Sequence, residues 1–213
     1  MTIIVTTYNR PELLRERALP SMLAQTYERL ECIVVGDASA DAAEVVRSFG
    51  DTRLRFVNLP YRGPYPDRSE DAWLVGGTIP HNTGLALARG RWIGVVNDDD
   101  ALRRTCVESL LELARTAHAE VPYGWAVQHL PNGESGRVGR FPPANGAWGL
   151  QSSLIHSGLR YLPLQPTDWL FGIAHDGGLV ERMLRIGVRF AMLDDVVFDY
   201  YPSLFWTDRP AIR

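Results

Sequence analysis

The sequence has few cysteines, no long apolar run and little net charge. Its two cysteines, Cys32 and Cys106, lie inside apolar patterns, so we expect reduced core thiols and not a disulfide framework. No apolar run reaches the roughly 18 residues of a membrane span, and no signal peptide precedes the first strand, so we expect a cytoplasmic protein without a transmembrane segment. The formal net charge is −3, with acids and bases interspersed. This balance argues against a nucleic-acid or anionic-membrane partner.

Two phosphate-binding motifs are also missing. The sequence contains neither Gly-x-Gly-x-x-Gly nor a Walker-type Gly-Lys-Ser/Thr, which excludes the usual dinucleotide-binding fold and the P-loop. It shows no internal repeat and no low-complexity linker. With 213 residues, of which 46% are hydrophobic and 22% charged, it has the composition of a globular protein with a substantial core. We predict one domain with two lobes.

The first half alternates apolar, β-branched strands with helical patterns. Strands are predicted at 2–7, 31–35, 53–59 and 92–97. This order is typical of a parallel sheet with right-handed crossovers. Pro20 predicts a kink or break in the first helix, and residues 60–80 read as a long, irregular loop before a short helix at 82–88.

The second half has a mixed pattern with many loops. It predicts a helix to about residue 118, a strand at 123–130, a hairpin-like turn at 131–136 and an irregular segment at 141–148. A strand at 152–156 and a helix at 176–186, stopped by Gly187, follow. Two short strands at 188–193 and 196–200 and an exposed tail of about a dozen residues complete the prediction.

The strand at 92–97 ends in Asn97, Asp98, Asp99 and Asp100, which we call the acid tip. Carboxylates at the carboxyl end of such a strand lie where open α/β sheets bind ligands. Two like charges about 4 Å apart repel by roughly 1 kcal/mol in water, so three adjacent acids favour a cation among them. Divalent metals take oxygen ligands and are suitable cations. The alternative is a solvated acidic turn before the next helix.

Two other loops should reach the same edge of the sheet, because they also follow parallel strands. They are residues 7–10 after the first strand and 36–39 after the second. Their Thr and Asn groups and one acid, Asp37, suit the edge of a nucleobase. Acids with a metal suit a diphosphate. The sequence therefore predicts a nucleotide site at this edge.

Motifs in this order resemble family 2 inverting glycosyltransferases of the GT-A fold. They are Thr-Thr-Tyr-Asn-Arg at 6–10, Met-Leu-Ala-Gln-Thr-Tyr at 22–27, Ile-Val-Val-Gly-Asp-Ala-Ser-Ala-Asp at 33–41, Asn-Thr-Gly at 82–84 with Ala-Arg-Gly at 88–90, the acid tip, and Asp-Gly-Gly-Leu-Val-Glu-Arg-Met-Leu at 176–184. The order and spacing match over roughly the first 110 residues, with a weaker similarity at 165–200.

The resemblance implies an α/β, Rossmann-like GT-A fold: a mostly parallel sheet flanked by helices, with a mixed, loop-rich carboxyl-terminal lobe. Residues 1–213 would form a single domain, in which 1–118 hold the nucleotide-sugar and 119–213 hold the acceptor. The implied activity is that of a metal-dependent, inverting hexosyltransferase. Its donor would be a UDP-sugar or a dTDP-sugar, and its acceptor a sugar, a lipid-linked molecule or a small molecule.

The resemblance also assigns residues. The nucleotide-binding residues would be Thr6, Tyr8, Arg10, Asp37, Asp98 and Asp99. Asp37 would accept the N–H of uracil or thymine. Asp98 and Asp100 would hold Mg²⁺ or Mn²⁺, although Asn97 leaves open which acids of the tip bind metal. The general base would be Asp176, with Asp168 as the rival. Asp176 also suits an ordinary helix amino terminus.

Three positions depart from the family pattern: Gly36 and Asn97 replace acids, and His175 precedes Asp176. A non-catalytic or atypical nucleotide-sugar-binding protein is therefore one alternative. A sugar nucleotidylyltransferase is another, although residues 7–11 lack the Gly-rich, basic loop that it needs. His175 could adjust the pKa of Asp176 or bond the substrate, or be a surface neighbour.

Several other side chains allow a functional and a structural interpretation. Trp148 and Trp169 could stack on a sugar or pack in the core. Arg62, Arg68 and Arg89 could reach a diphosphate or remain solvated.

Overall fold

The computed structural model describes residues 1–202, so the tail predicted for the end of the chain lies outside the described residues from residue 203 onward. The main sheet has five strands in the order β3-β2-β1-β4-β8: Leu54–Asn58, Glu31–Gly36, Thr2–Thr7, Trp92–Asn97 and Leu154–His156. The first four are parallel, and β8 is antiparallel to β4. The three central strands are apolar and almost wholly buried, as in sheets covered on both faces. The predicted α/β architecture is confirmed.

Helices flank this sheet. They are α1 Pro11–Leu13, a π-helical turn Leu14–Ala18, α2 Leu19–Leu23, α3 Ala42–Ser48, α4 Ser69–Val75, α5 Thr78–Leu87, α6 Cys106–Thr116 and α7 His175–Arg185, with short 3₁₀ turns at Leu150–Ser152, Ser157–Leu159 and Asp168–Phe171. The irregularity predicted at Pro20 takes the form of the π-helical turn just before it, because proline cannot donate a helical hydrogen bond.

A second sheet lies in the order β5-β9-β6-β7: Ala101–Leu102, Phe190–Tyr200, Val121–His129 and Ser135–Val138. The predicted hairpin is confirmed, because β6 and β7 pair antiparallel around its turn. The sequence halves interleave: β5 comes from the first half and joins the second sheet, whereas β8 comes from the second half and joins the first.

Two sequence predictions of secondary structure were wrong. Residues 60–80 are not a continuous loop, since α4 lies within them and α5 begins at Thr78. Pro80 is compatible with the first turn of α5 because N–H groups there have no partner inside the helix. The two short strands near the end are one strand, β9. Its pairing with β6 shifts register beside Gly124, so that Asp194 and Asp195 are skipped within the strand.

The core lies on both faces of the main sheet and extends under α6 and β9. Cys32 and Cys106 are free and buried in it, and burial raises the pKa of each thiol to about 12. The prediction of core thiols is confirmed. Within residues 1–202, no helix combines the length and the apolar character needed to cross a bilayer.

Candidate active site

The carboxyl ends of β1, β2 and β4 lie side by side, so the loops that follow them share one edge. Thr7 pairs with Gly36, and Thr6 pairs with Asn97. Parallel strands in this register place residues 8–10, 37–39 and 98–100 together. The predicted convergence of these loops is confirmed.

Arg10 lies among the carboxylates of the acid tip. Its Nη1 is 2.6 Å from Asp99 Oδ2 and 3.4 Å from Asp98 Oδ1. Arg17, from the π-helical turn, donates to the Asp99 carbonyl oxygen at 2.8 Å. The cation expected among these acids is therefore supplied in part by arginine. The contact of Arg10 with a nucleoside remains a prediction.

Asp100 is fully buried and bonded to two neutral donors. The Asn97 side-chain amide donates to Oδ2 at 2.9 Å, and the Tyr201 backbone N–H donates to Oδ1 at 2.8 Å. Asn97 therefore has a definite role where the family has an acid: it donates a hydrogen bond that a carboxylate could not. The Tyr201 ring lies between the Arg17 guanidinium and the His129 ring.

The acid tip has too little positive charge for its burial. Burial, followed by the charge of Asp99, raises the pKa of Asp98 to about 6. The same two causes raise the pKa of Asp100 well above its usual range, and burial raises that of Asp99 although Arg10 opposes it. A divalent cation would relieve this repulsion.

A metal at the tip would have to be shared with a substrate. Among residues 1–202, no three His, Cys, Asp or Glu side chains are gathered into a complete metal cage. Mg²⁺ is commonly held by one or two carboxylates together with substrate phosphates, so Asp98 and Asp100 would suffice as protein ligands. Both belong to one loop, and Asp98 also accepts the Tyr8 N–H at 3.3 Å.

Asp37 is only 3% exposed and already has partners. Its Oδ1 accepts the Gly63 N–H at 3.1 Å and its Oδ2 accepts the Tyr65 hydroxyl at 2.7 Å. The same segment places the Arg62 guanidinium 4.0 Å from the centre of the Tyr8 ring. Two predicted nucleoside contacts are therefore covered by residues of one loop.

Gly36 leaves space that another side chain uses. A Cβ at this position would lie 2.5 Å from Asn58 Oδ1, and that oxygen accepts the Ser39 N–H at 2.8 Å. Ser39 Oγ in turn accepts the Asn9 N–H at 2.9 Å. The absence of the family's acid at Gly36 is therefore matched by a hydrogen-bond network that ties the second loop to the first. Thr6 lies nearby at the end of β1, with Gly77 beside its hydroxyl.

Asp176 lies in the first turn of α7, and its Oδ1 accepts the Gly177 N–H at 2.8 Å. Burial raises the pKa of its carboxyl. The start of α7 lies near the carboxyl end of β1: His175 Nδ1 is 3.3 Å from the Thr78 hydroxyl, and a Cβ at the adjacent Gly77 would lie 3.4 Å from Thr6 Oγ1. Burial raises the pKa of the Tyr200 phenol, and the charges of Asp100, Asp99 and Asp176 raise it further.

Asp168 is held in an ion pair. Arg182 Nη1 is 3.3 Å from its Oδ2, and Arg182 Nη2 donates to the Pro163 carbonyl at 2.9 Å. Gly178 makes room for this carboxylate, because a Cβ there would lie 2.2 Å from Oδ2. Within residues 1–202, Asp176 has no such basic partner, which favours Asp176 as the base.

His175 is neutral near physiological pH, because burial lowers its pKa to about 4. Its Nδ1 lies 3.3 Å from the Thr78 hydroxyl. It therefore supplies no positive charge next to Asp176. His81, buried in α5, has its pKa lowered to about 4 for the same reason.

The remaining candidates are two tryptophans and two arginines, whose positions relative to the acid tip differ. Trp148 is buried and packs edge-to-face on Phe190. Of its two interpretations, packing in the core is confirmed and stacking on a sugar is wrong. Arg68 pairs with Glu70 and Asp71, and Arg89 pairs with Glu31 at the opposite end of the sheet, so neither reaches the acid tip. Trp169 borders a shallow surface pocket beside Tyr65 and Arg68.

Sequence reasoning missed Tyr65 and Tyr200. Both are tyrosines without a motif, one in a segment read as an irregular loop and one at the end of β9. Only the position of Tyr200 at a strand end could have pointed to it.

Comparison with known proteins agrees with these motifs. Residues 2–69 match the family described as Glycosyl transferase family 2. The chain is 36% identical over 123 residues to the succinoglycan biosynthesis protein ExoO of Rhizobium meliloti, and the aligned region covers 57% of this chain and 31% of ExoO. It is 32% identical over 126 residues to the GalNAc(5)-diNAcBac-PP-undecaprenol beta-1,3-glucosyltransferase of Campylobacter jejuni, and that alignment covers 57% of this chain and 36% of the relative. The chain thus spans about a third of the length of these relatives.

Solved structures resemble nearly the whole described chain. The S. aureus TarS 1-349 complex with UDP-GlcNAc superposes with a TM-score of 0.71 at 17% identity, covering 94% of this chain and 58% of that one. The mannosyltransferase PcManGT from Pyrobaculum calidifontis, in complex with GDP-Man and Mn2+, gives a TM-score of 0.64 at 20% identity, covering 93% and 55%. At these identities the likeness shows the fold.

Proposed function

Because residues 2–69 belong to glycosyl transferase family 2 and the chain has the GT-A fold, we propose that this protein transfers a sugar from a nucleotide-sugar to an acceptor hydroxyl with inversion. The family predicted from the sequence motifs is confirmed. One observation carries the proposal: the loops after β1 and β4 meet at one edge of the sheet, where the Tyr8 N–H and the Arg10 guanidinium contact the acid tip.

The donor would bind along this edge. Asp37 and the backbone and side chains of Thr6 and Tyr8 would hold the nucleoside, most simply uridine or thymidine. Asp98 and Asp100 would hold Mg²⁺ or Mn²⁺, which supplies neutralisation of the leaving diphosphate. The sequence has 22 arginines and no lysine, and Arg10 and Arg17 contact the tip.

Asp176 would take the proton from the acceptor hydroxyl. The new bond joins the acceptor oxygen to the sugar carbon, and the bond from that carbon to the diphosphate breaks on the opposite face. A carboxylate whose pKa is raised by burial is a stronger base than one in water. The Gly177 N–H bonds to Oδ1, which fixes the carboxylate and leaves Oδ2 for the hydroxyl.

The acceptor would be a sugar hydroxyl, either lipid-linked or free. The name of the Campylobacter relative includes an undecaprenol-linked saccharide and that of the Rhizobium relative succinoglycan biosynthesis. Because this chain spans about a third of each, we propose only a saccharide acceptor by analogy.

The two alternatives find less support. The departures at Gly36 and Asn97 have structural reasons that need no loss of activity: Gly36 makes room for Asn58, and Asn97 bonds to Asp100. A nucleotidylyltransferase needs a basic, Gly-rich loop after the first strand, which residues 7–11 lack, and the whole chain has no lysine.

Calorimetric titration tests the donor side. We expect UDP or dTDP to bind the purified protein more tightly with Mn²⁺ than without, and GDP to bind more weakly. Asp100→Asn should remove the metal dependence, whereas Asp194→Asn, on the exposed bulge of β9, should not. Absence of binding by all three nucleotides, with and without metal, would contradict the proposal. Product formation from the matching sugar nucleotide, followed by chromatography, then separates an enzyme from a non-catalytic binding protein.

A further inference from the structure

A short segment covers the nucleoside side of the proposed site. We call residues 61–65 the strap. It follows β3, where Leu59 N–H donates to the Gly36 carbonyl at 2.9 Å, and it turns tightly, with Tyr65 N–H donating to the Gly63 carbonyl at 2.9 Å. It therefore begins beside the second loop and folds back over it.

The strap uses the carboxylate that the nucleobase would need. Gly63 N–H bonds one oxygen of Asp37 and Tyr65 O–H bonds the other. A carboxylate has about four acceptor positions, but in this conformation Asp37 is only 3% exposed and the strap supplies a donor to each of its oxygens. The Tyr65 hydroxyl thus occupies the kind of position that a uracil or thymine N–H would take.

The strap also covers Tyr8. The Arg62 guanidinium lies 4.0 Å from the centre of the Tyr8 ring and 5.3 Å from that of Tyr65. A cation over an aromatic face is attracted by the negative face of the ring. Two independent contacts, one to Asp37 and one to Tyr8, therefore hold the strap on the loops of the nucleoside pocket.

We propose that the strap is an internal competitor of the donor: in this conformation Tyr65 and Arg62 close the nucleoside pocket, and a nucleotide binds only when they leave Asp37 and Tyr8. The inference builds on the proposed function and adds a means of regulation. The donor would be admitted by exchange, since its base N–H replaces the Tyr65 O–H on the same carboxylate. Any condition that loosens the strap would then strengthen donor binding.

Tyr65→Phe tests the competition directly. The ring remains and only the hydroxyl that bonds Asp37 is lost. Because a hydrogen bond to a charged group contributes on the order of a tenfold factor, we expect UDP to bind about five- to tenfold more tightly to Tyr65→Phe in calorimetry with Mn²⁺. If Tyr65 instead positioned Asp37 for the base, the same substitution would weaken binding, and the proposal would fail.

Gly63→Ala is a second variant with a different mechanism. A Cβ at Gly63 would lie 2.9 Å from Tyr65 Cζ and 2.8 Å from Ile79 Cγ1, so either the ring or the Gly63 backbone must shift, and each of them carries a strap bond to Asp37. It should also tighten UDP binding. Tyr61→Phe is the matched control, since Tyr61 lies in the same segment with 82% of its surface exposed, and it should leave affinity unchanged.

Hydrogen exchange supplies a readout besides affinity. In the free protein, Tyr65→Phe should speed exchange of the Gly63 amide, and UDP should speed exchange of residues 61–65 in the parent protein. Slower exchange on adding UDP would show a strap that closes over the ligand, which contradicts competition. If the parent binds UDP and Tyr65→Phe binds it equally or more weakly, the proposed function stands and the strap proposal fails. If neither the parent nor the variants bind any nucleotide, both fail.

Discussion

At the scale of single residues, the two candidate bases differ in what holds them. Asp176 bonds only the Gly177 N–H among the described contacts, whereas Asp168 is paired with Arg182. We expect Asp176→Asn to lower the turnover rate by roughly 10²–10⁴-fold, the usual contribution of a general base, while UDP affinity stays the same. Single-turnover kinetics and calorimetry measure the two quantities separately.

Asp168→Asn is the matched control for that substitution. It removes a partly buried ion pair, so we expect the free energy of unfolding to fall by about 1–3 kcal/mol, with little change in turnover. If Asp168→Asn abolishes transfer and Asp176→Asn does not, the base is Asp168.

The acid tip predicts an unusual pH dependence. Asp98 has a pKa of about 6 in the folded protein against 3.8 as the ordinary value, so the folded state binds this proton more tightly than the unfolded chain. The protonated Asp98 therefore adds to the stability of the folded state below about pH 4, and this stabilisation is lost as pH rises through 6. Asp98→Asn should therefore stabilise the metal-free protein more at pH 7.5 than at pH 4.5, by on the order of 2 kcal/mol.

Urea unfolding at the two pH values measures this difference. Asp51→Asn is a control without pH dependence in this range, because hydrogen bonds from Arg53 lower the pKa of Asp51 below its ordinary 3.8. Asp51 stabilises the fold above its unfolded pKa, and this contribution is lost only as pH falls through the lower, folded pKa, so the loss on substitution should be the same at pH 4.5 and at pH 7.5. An Asp98→Asn gain that is equal at both pH values would show that Asp98 carries no buried charge.

The sequence motifs could name candidate residues of this site, but they could not predict which contacts those residues make. Asp98, Asp100 and Asp176 were named from motifs, because acids at strand and helix ends follow from chain order. The pairing of Arg10 with Asp99 and the covering of Asp37 by Tyr65 depend on the path of residues 61–65, which no period or motif encodes.

At the scale of elements, α5 packs against β1 through a glycine. A Cβ at Gly84 would lie 2.5 Å from Ile4 Cγ2, so the motif Asn82-Thr83-Gly84 has a packing reason. Alanine is about 1 kcal/mol better than glycine in a helix, yet overpacking costs about 1–3 kcal/mol. We expect Gly84→Ala to lower stability in urea unfolding, whereas Gly136→Ala, in open space on β7, should be neutral. A Gly84→Ala protein more stable than the parent would contradict this contact.

Long apolar elements were the easiest to predict. The central strands were placed within a residue or two because β-branched runs are buried on both faces. The start of α5 was missed because Pro80 looked like a breaker, and β5, with two residues, is too short to carry a pattern. Single β9 was read as two strands because two acids interrupt its apolar run.

At the scale of the whole molecule, the sequence halves depend on each other. The division into a donor half, 1–118, and an acceptor half, 119–213, remains a prediction, but β8 covers the edge of β4 and β5 pairs with β9. We expect a fragment of residues 1–118 to lack a cooperative unfolding transition and to bind no UDP. Circular dichroism during heating and calorimetry check this. A fragment that melts sharply and binds UDP like the parent would show two independent halves.

The π-helical turn Leu14–Ala18 has a consequence for how insertions and deletions act on this protein. Such a turn holds one residue more than an α-helical turn would, and one residue corresponds to about 100° of rotation. Deleting one residue there would convert the segment to regular α-helix and rotate the preceding loop relative to α2. Arg10, which precedes the turn, and Arg17, which lies within it, could not both keep their bonds to Asp99. The helical register of this segment, as much as the identity of its arginines, therefore determines whether both arginines can lie beside the acids.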